Sequence, residues 1–247
     1  MVLILAHRGL PGAKGPENSL AAAEAAFTCG ADGVEVDLRL TADGVLVASH
    51  DPDLFRLAGA HVAVADTSWP VLDAAAAQRG LRLARLEELL VLASGRPMVL
   101  ELKRPPTHAA QTRTATVLMQ QLALLQRCGV SLDVTVSSFS PTLLMAVRRE
   151  PFPGNGLRTA LLGKPLSGAA PLLRQAIRGG HQEMHPNVLA LLGETWVVPA
   201  AHARGISVVP WTVNRPRHLR RLERAGVDAV ITDAPVSARA AVASVLA

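Results

Sequence analysis

The hydrophobic residues of the 247-residue chain fall in short runs of strand length that alternate with segments of helical pattern. The predicted strands are residues 3–7, 33–40, 98–103, 134–138, 159–162, 183–185, 207–212 and 229–232. The predicted helices are residues 19–29, 86–93, 108–127, 141–149, 171–178, 194–203, 216–225 and 237–245. Several of these helices are preceded by Ser or Pro and followed by Gly. The alternation predicts repeated βα units around a parallel sheet.

Residues 41–85 interrupt this alternation, and we interpret them as a compact insertion after the second strand. Two folds are compatible with the remainder. An open doubly wound sheet would normally carry a Gly-rich phosphate loop after its first strand, where this chain has His7-Arg8-Gly9. Ionisable residues instead follow several strands, where barrel enzymes carry their active sites. The pattern therefore predicts one α/β domain over residues 1–247, a (β/α)8 TIM-type barrel.

The second predicted strand carries two carboxylates on one face. Residues two apart on a strand point the same way, so Glu35, Asp37 and Arg39 share a face, and the apolar residues between them face the helices. Carboxylates directed into a barrel lose their hydration and need a cation beside them. The strand alone leaves two interpretations open: a structural salt-bridge network with an arginine, or a metal site.

The third predicted strand repeats this arrangement, with Glu101 and Lys103 on one face after an apolar stretch. Glu101 can supply a third carboxylate. Three carboxylate oxygens from two strands favour a hard divalent cation, Mg²⁺ or Ca²⁺, over Zn²⁺. Lys103 has two interpretations, as the ion-pair partner of Glu101 or as a contact to a phosphate group.

Two histidines are expected at the same rim. His7 ends the first strand, and His50 ends the short apolar run that follows the second. A single histidine at a strand end is commonly structural, but two of them, each followed by a charged residue in a sharp turn, favour a general acid and base. Arg8 has the fork geometry to bind two oxygens of a phosphate. Phosphodiester cleavage requires this combination of groups.

Polar residues after the later strands are less specific. Trp211 is either a packing residue or a platform over an apolar part of a ligand. We expect Asp233 to cap a helix, because Pro235 follows it closely. The segment Ser137-Ser138-Phe139-Ser140 lacks the Gly-x-Ser-x-Gly pattern of serine hydrolases, so its hydroxyls are interpreted as capping or substrate contacts.

Charge and composition exclude several classes of protein. The net charge is +5, with 17 Lys and Arg against 8 Asp and Glu in residues 101–247, but no basic run is interleaved with aromatic residues. We therefore expect no nucleic-acid partner. The apolar start of the chain is too short for a signal or membrane segment, so we expect no stable membrane insertion and a cytoplasmic location. Nothing in the pattern indicates an oligomeric state.

Taken in order, the motifs resemble the glycerophosphodiester phosphodiesterase family. They are His7-Arg8-Gly9, Pro16-Glu17-Asn18-Ser19, Glu35-Val36-Asp37, His50-Asp51, Glu101-Leu102-Lys103, Ser137-Ser138-Phe139 and Trp211-Thr212-Val213-Asn214. Each fragment is weak, but the ordered set spans almost the whole chain and is specific. The resemblance implies a (β/α)8 barrel that hydrolyses small glycerophosphodiesters to glycerol 3-phosphate and an alcohol, usually with Mg²⁺ or Ca²⁺.

The resemblance also implies a role for each matching residue. His7 and His50 match the acid and base, and Glu35, Asp37 and Glu101 match the metal carboxylates. Arg8 and Lys103 match phosphate contacts, and Trp211 matches a residue beside the glycerol. Glu17 and Asn18 match a characteristic motif, for which we expect a supporting role in orienting the rim.

Two other functions remain open at this stage. One is a lysophospholipase D or sphingomyelinase D-like activity on single-chain lipids. The other is a barrel that binds a phosphodiester without cleaving it. Phe55-Arg56-Leu57-Ala58-Gly59 stands where the family often has an Arg-Thr-Thr run, and we expect this change to affect substrate fit rather than chemistry.

Overall fold

The computed structural model describes residues 2–12, 15–152 and 157–243, which form a barrel of parallel strands with helices around it. The barrel strands are β1 (Leu3–His7), β2 (Gly33–Leu40), β6 (Pro97–Leu102), β7 (Asp133–Ser138), β8 (Arg158–Leu162), β9 (Glu183–His185), β10 (Ser207–Val208) and β11 (Ala229–Thr232). The helices outside them are α1 (Leu20–Thr28), α4 (Leu86–Ala93), α5 (His108–Arg127), α6 (Pro141–Arg149), α7 (Ala169–Gly179), α8 (Val188–Gly193), α9 (Val197–His202), α10 (Pro216–Arg224) and α11 (Pro235–Ala243). None of the described helices is both long and apolar enough to cross a membrane.

Parallel pairing runs almost all the way round the barrel, in the order β10-β9-β8-β7-β6-β2-β1-β11. Backbone hydrogen bonds also join the remaining edges. The N–H of Asp228 donates to the carbonyl of Val208 at 3.1 Å, and that of Ile231 donates to the carbonyl of Pro210 at 3.0 Å. The predicted (β/α)8 barrel is therefore confirmed.

Side-chain alternation along β2 divides the apolar core from the barrel interior. Val34, Val36 and Leu38 are at most 1% exposed and belong to the large core shared with the helices. A second, smaller apolar cluster contains Leu5 and Val99 and fills part of the interior. Barrel strands present successive side chains alternately inward and outward, so polar residues two apart on β2 lie together inside.

Some predicted bounds were wrong. The strand predicted over residues 207–212 is regular only over Ser207–Val208, and its pairing continues beyond that as a single parallel bridge between Trp211 and Asn187. The helix predicted over residues 194–203 is the shorter α9, and α8 was not predicted; Asn187 caps α8 by accepting a hydrogen bond from the N–H of Leu189. The last predicted helix, residues 237–245, is α11 as far as Ala243, and its end lies outside the described residues.

The insertion has a small fold of its own. Strand β3 (Leu46–Ala48) pairs antiparallel with β2, and β4 (Asp53–Leu54) pairs with β5 (Ala60–Ala63). The short helix α2 (Phe55–Ala58) and helix α3 (Trp69–Ala77) complete it. Most of its buried apolar residues form a separate cluster: Val47, Leu54, Ala58, Val64, Leu72, Ala76, Leu81 and Leu83. Leu46 and Ala48 of β3 join the large barrel core instead. Val47 and Leu54, on either side of residue 50 in the chain, both belong to the separate cluster.

We predict that Leu72→Ala destabilises the protein and that Val71→Ala, next to it on α3, does not. Leu72 is fully buried in the insertion cluster, whereas Val71 is 59% exposed. Removing a buried leucine side chain costs roughly 2–5 kcal/mol, and surface changes usually stay within about 0.5 kcal/mol. Urea unfolding of both variants measures this difference. Equal midpoints would show that the cluster contributes nothing to stability.

Candidate active site

The strand register brings the predicted site residues together at the carboxyl-terminal end of the barrel. His7 on β1 is paired with Glu35 on β2, and Asp37 on β2 is paired with Glu101 on β6. Adjacent strands lie about 4.8 Å apart, so these side chains meet directly. Residues distant in sequence therefore form one cluster.

Glu35, Asp37 and Glu101 form a buried carboxylate triad. One oxygen from each lies within 4.8 Å of the others, and the residues are 4%, 0% and 9% exposed. Oxygen ligands at this spacing suit a hard cation. The triad is a candidate site for a divalent metal ion, as the sequence predicted.

The triad is electrostatically unfavourable by itself. Burial raises the pKa of Glu35 to about 8, and the neighbouring charge of Asp37 adds to this effect. Burial also raises the pKa of Glu101, despite the opposing charge of Lys103. The pKa of Asp37 is lowered, because Lys103, Arg8 and a hydrogen bond from Asn18 outweigh its burial. The cluster thus holds more negative charge than its own partners neutralise.

Two cationic side chains contact the triad. The Nζ of Lys103 lies 2.6 Å from Asp37 Oδ1 and 2.5 Å from Glu101 Oε1. The Nε of Arg8 lies 3.1 Å from Asp37 Oδ2. Burial lowers the pKa of Lys103, but the two carboxylates outweigh it and raise that pKa. The ion pair between Lys103 and Glu101, one of the two interpretations of Lys103, is therefore present in the structure.

The arginine that forms a salt bridge with the triad is Arg8, whereas Arg39 binds elsewhere. Its Nε and Nη2 donate to the backbone carbonyl of His50 at 3.1 and 2.7 Å. Arg39 is two residues beyond Asp37 on β2, so its side chain leaves the strand nearer the rim than the triad does. Arg39 therefore fixes the turn that carries His50.

A tight turn after β1 positions Arg8. Gly9 has φ +81°, and a Cβ there would lie 2.7 Å from the backbone of Ala22 in α1, so no larger residue fits. The backbone N–H of Arg8 donates to Glu35 Oε2 at 3.1 Å. Asn18 completes the frame, donating to Asp37 Oδ2 at 2.8 Å and accepting from the backbone N–H of Asp37 at 2.9 Å. The contacts of Asn18 fit its expected supporting role.

An aspartate orients His7. The Nδ1 of His7 lies 2.6 Å from Asp233 Oδ1, and its Nε2 lies 3.9 Å from Glu35 Oε2. The other oxygen of Asp233 accepts from Asn214 Nδ2 at 2.6 Å. Burial lowers the pKa of His7, but the bond to Asp233 and the charge of Glu35 outweigh it, so that pKa is raised. Since the carboxylate binds Nδ1–H, Nε2 faces the cluster.

A second aspartate orients His50 in the same way. The Nδ1 of His50 lies 2.8 Å from Asp51 Oδ1. The other oxygen of Asp51 accepts a hydrogen bond from Arg56 Nε. Arg56 Nη2 also lies 2.5 Å from Glu17 Oε1, which accepts from Arg8 Nη1 at 3.0 Å. A chain of ion pairs therefore joins the turn after β1 to the insertion.

These groups surround one cavity of about 310 Å³. His7, His50 and the acidic and basic residues line one side. The other side is apolar, formed by Trp211, Phe139, Leu162, Pro165 and Ile231, with Ser137 between the two sides. Trp211 packs edge-on against Phe139 at 5.5 Å and donates from Nε1 to the carbonyl of His185 at 3.0 Å. The cavity thus has one charged and one apolar wall.

Sequence reasoning missed some of these residues. Asp233 was expected to cap a helix, but its two oxygens bind His7 and Asn214. The place of Asp233 at the rim could be expected, because it directly follows β11 and His7 ends β1, but its pairing with His7 could not. Arg56 was expected to affect only substrate fit, but it contacts Asp51, the partner of His50. No local pattern indicates a contact of that kind.

Comparison with known proteins identifies the family. The profile of the glycerophosphoryl diester phosphodiesterase family matches residues 7–237. The chain belongs to this family. A glycerophosphodiester phosphodiesterase of Caldanaerobacter subterraneus is 27% identical over 94% of each chain. The Thermotoga maritima glycerophosphodiester phosphodiesterase structure is 27% identical, with a TM-score of 0.76 over 96% of each chain.

A further solved structure shares the fold. It is a phosphodiesterase of Oleispira antarctica in complex with its product, sn-glycerol 3-phosphate. It is 22% identical, with a TM-score of 0.80 over 98% of this chain and 96% of its own. Family membership makes the protein a glycerophosphodiester phosphodiesterase, and the cavity at the end of the barrel is its candidate active site.

We predict that Glu35 makes the metal-free protein less stable as the pH rises. Its pKa is about 8 in the folded chain against an ordinary value of 4.5, so between these values the folded state holds a proton that the unfolded state has lost. Stability therefore falls from about pH 4.5 to about pH 8 and stays low above it. Glu35→Gln removes this contribution.

Thermal melting in EDTA between pH 5 and 8.5 tests the prediction. The difference in Tm, variant minus wild type, is expected to become more positive with pH. Glu24→Gln, the same change at an exposed position of α1, is the control and should follow the wild type. If the Glu35→Gln and wild-type curves stay parallel, Glu35 does not titrate in this range.

Proposed function

We propose that the protein is a metal-dependent hydrolase of small glycerophosphodiesters, which it converts to sn-glycerol 3-phosphate and an alcohol. The observation that carries this proposal is the cavity in which two aspartate-bound histidines stand beside a buried carboxylate triad. Such a set provides a cation site and two proton-transfer groups around one ligand. The product bound by the Oleispira antarctica protein supports the choice of substrate.

The residues present fit a divalent cation. Three carboxylates are buried with less positive charge than they need, and burial together with the charge of Asp37 would hold Glu35 protonated near neutral pH. Glu35, Asp37 and Glu101 would hold Mg²⁺ or Ca²⁺. Such an ion would offset negative charge on the phosphate and acidify a coordinated hydroxyl group. Both ions accept carboxylate oxygens, so the donor set allows either.

Arg8 and Lys103 bind the phosphate in our proposal. Arg8 uses Nε for Asp37 and Nη1 for Glu17, which leaves Nη2 for an oxygen of the substrate. Lys103 has three donor hydrogens and two carboxylate partners, which leaves one. Both donors are held in place before the substrate arrives, so little reorganisation accompanies the reaction.

His7 and His50 transfer the protons. In both rings Nδ1–H is bound to an aspartate, so Nε2 is the nitrogen that exchanges a proton with the substrate. We assign His7 as the base that activates the attacking oxygen and His50 as the acid that protonates the leaving alkoxide. The bond to Asp233 and the charge of Glu35 stabilise the charged form of His7, as expected for a group that becomes protonated during the cycle.

The shape of the cavity supports a small substrate. A volume of about 310 Å³ suits a glycerol phosphate group, and the face of Trp211 can cover the glycerol carbons.

We further propose that residues 1–247 act as one domain, since the barrel and its insertion share the β2–β3 pairing. A cytoplasmic location is supported by the free thiols of Cys29 and Cys128.

We predict that hydrolysis of glycerophosphoethanolamine requires a divalent cation bound to the triad. EDTA should abolish release of glycerol 3-phosphate, and Mg²⁺ or Ca²⁺ should restore it. Glu101→Gln should lower kcat/KM by at least about a hundredfold at limiting metal, since it removes a ligand. Glu24→Gln is the matched control. Near wild-type rates for Glu101→Gln would overturn the assignment, and a tenfold preference for lysophosphatidylcholine would indicate lysophospholipase D activity instead.

We predict that His50→Ala and His7→Ala each lower kcat by roughly 10²–10⁴-fold, the usual contribution of a positioned acid or base. A nitrophenyl diester has a leaving group that needs no protonation, so it should partly rescue only the variant without the acid, His50→Ala. His61→Ala removes an exposed imidazole from the same insertion and is the control. If the nitrophenyl diester restored activity to His7→Ala and not to His50→Ala, His7 would be the acid and His50 the base.

A further inference from the structure

A second cavity, of about 450 Å³, lies beside the active-site cavity. We call it the arginine cavity. Its basic lining residues are Arg39, Lys103, Arg104 and Arg113. Lys103 lines both cavities, so the two are neighbours with a shared wall. The opposite wall of the arginine cavity belongs to the insertion, at Pro52 and Ala65.

Part of the positive charge of the arginine cavity has no salt-bridge partner. Lys103 is paired with Asp37 and Glu101, whereas the arginines are not paired with a carboxylate in the described part of the chain. Arg39 and Arg113 are each anchored to a backbone carbonyl, of His50 and Ala42 respectively, and neither forms a salt bridge with a carboxylate in the described part of the chain. Arg104 is exposed and also forms no salt bridge within the described residues. The only acidic residue among the described lining residues is Asp66. Arginines that converge on a cavity with free donors favour an anionic ligand.

The position of the arginine cavity indicates which end of a bound substrate it would contact. Arg39 binds the carbonyl of His50, and Pro52 follows two residues later, so the arginine cavity adjoins the turn that carries His50. Trp211, by contrast, lines only the active-site cavity, on its apolar side. In the function proposed above, His50 protonates the departing alkoxide and Trp211 covers the glycerol. The departing alcohol therefore lies toward the arginine cavity.

We propose that the arginine cavity is the subsite for the departing alcohol and that it selects alcohols bearing an anionic group, a carboxylate or a phosphate. This inference rests on the proposed hydrolysis of glycerophosphodiesters and names the substrate class within it. Arg104 and Arg113 supply the selecting charges. Arg39 contributes as well, but it also holds the turn that carries His50. A change at Arg39 would therefore alter both alcohol binding and the position of His50.

Two pairs of substrates isolate the anionic group. Glycerophosphoserine differs from glycerophosphoethanolamine by one carboxylate, and glycerophosphoinositol 4-phosphate differs from glycerophosphoinositol by one phosphate. In at least one pair, the anionic member should have a kcat/KM roughly five- to fiftyfold higher, as expected for charge-assisted hydrogen bonds at a partly exposed site. The preference should shrink as ionic strength rises, since these charges are open to solvent.

Arg104→Gln and Arg113→Gln should each lower this preference at least threefold. The control is Arg127→Gln, which removes the same charge from the exposed far end of α5. At about 1.5 Å per residue, that position lies about 20 Å along the helix from Arg113. The control should keep the wild-type preference, which separates a local subsite from steering by the net charge of +5.

The outcomes are distinguishable. Wild-type turnover of glycerophosphoethanolamine with no preference in either pair would overturn the subsite and leave the proposed function standing. A preference that Arg127→Gln lowers as much as Arg104→Gln and Arg113→Gln do would also overturn it, because the selection would then arise from net charge. No release of glycerol 3-phosphate from any of the four substrates would overturn the proposed function and the subsite together.

Discussion

Repulsion among three buried carboxylates is the constraint on which the rest of this site depends. Glu35, Asp37 and Glu101 are forced together by the parallel register of two strands, and the barrel gives them no room to separate. Buried charge of this kind persists only where counter-charges and hydrogen bonds are supplied. Lys103, Arg8 and Asn18 supply part of that compensation from the adjoining rim. The remaining deficit explains why a cation site, rather than a closed salt-bridge network, is the better interpretation.

The sequence predicted those parts of the structure that depend on local periodicity. Alternation along β2 and β6 gave the carboxylates a common face, and the position of His7 at a strand end placed it at the rim. These properties need only the two-residue repeat of a strand and the common direction of parallel strands. The resemblance to a family added the individual roles, which periodicity cannot supply.

Contacts that join distant parts of the chain could not be predicted. Asp233 binds His7 across 226 residues, and Arg56 reaches Asp51 and Glu17 from a helix of four residues. Such contacts depend on how loops close over the barrel, and no repeat in the sequence encodes this.

The separate apolar cluster of the insertion has a consequence for how this enzyme can diverge from its relatives. The segment carries His50, and although Leu46 and Ala48 join the barrel core, most of its buried apolar residues pack on one another. Outer residues of the insertion can therefore be exchanged during evolution without disturbing the fold that holds the carboxylates. A lineage could in this way acquire a new range of alcohols while its reaction chemistry stays the same.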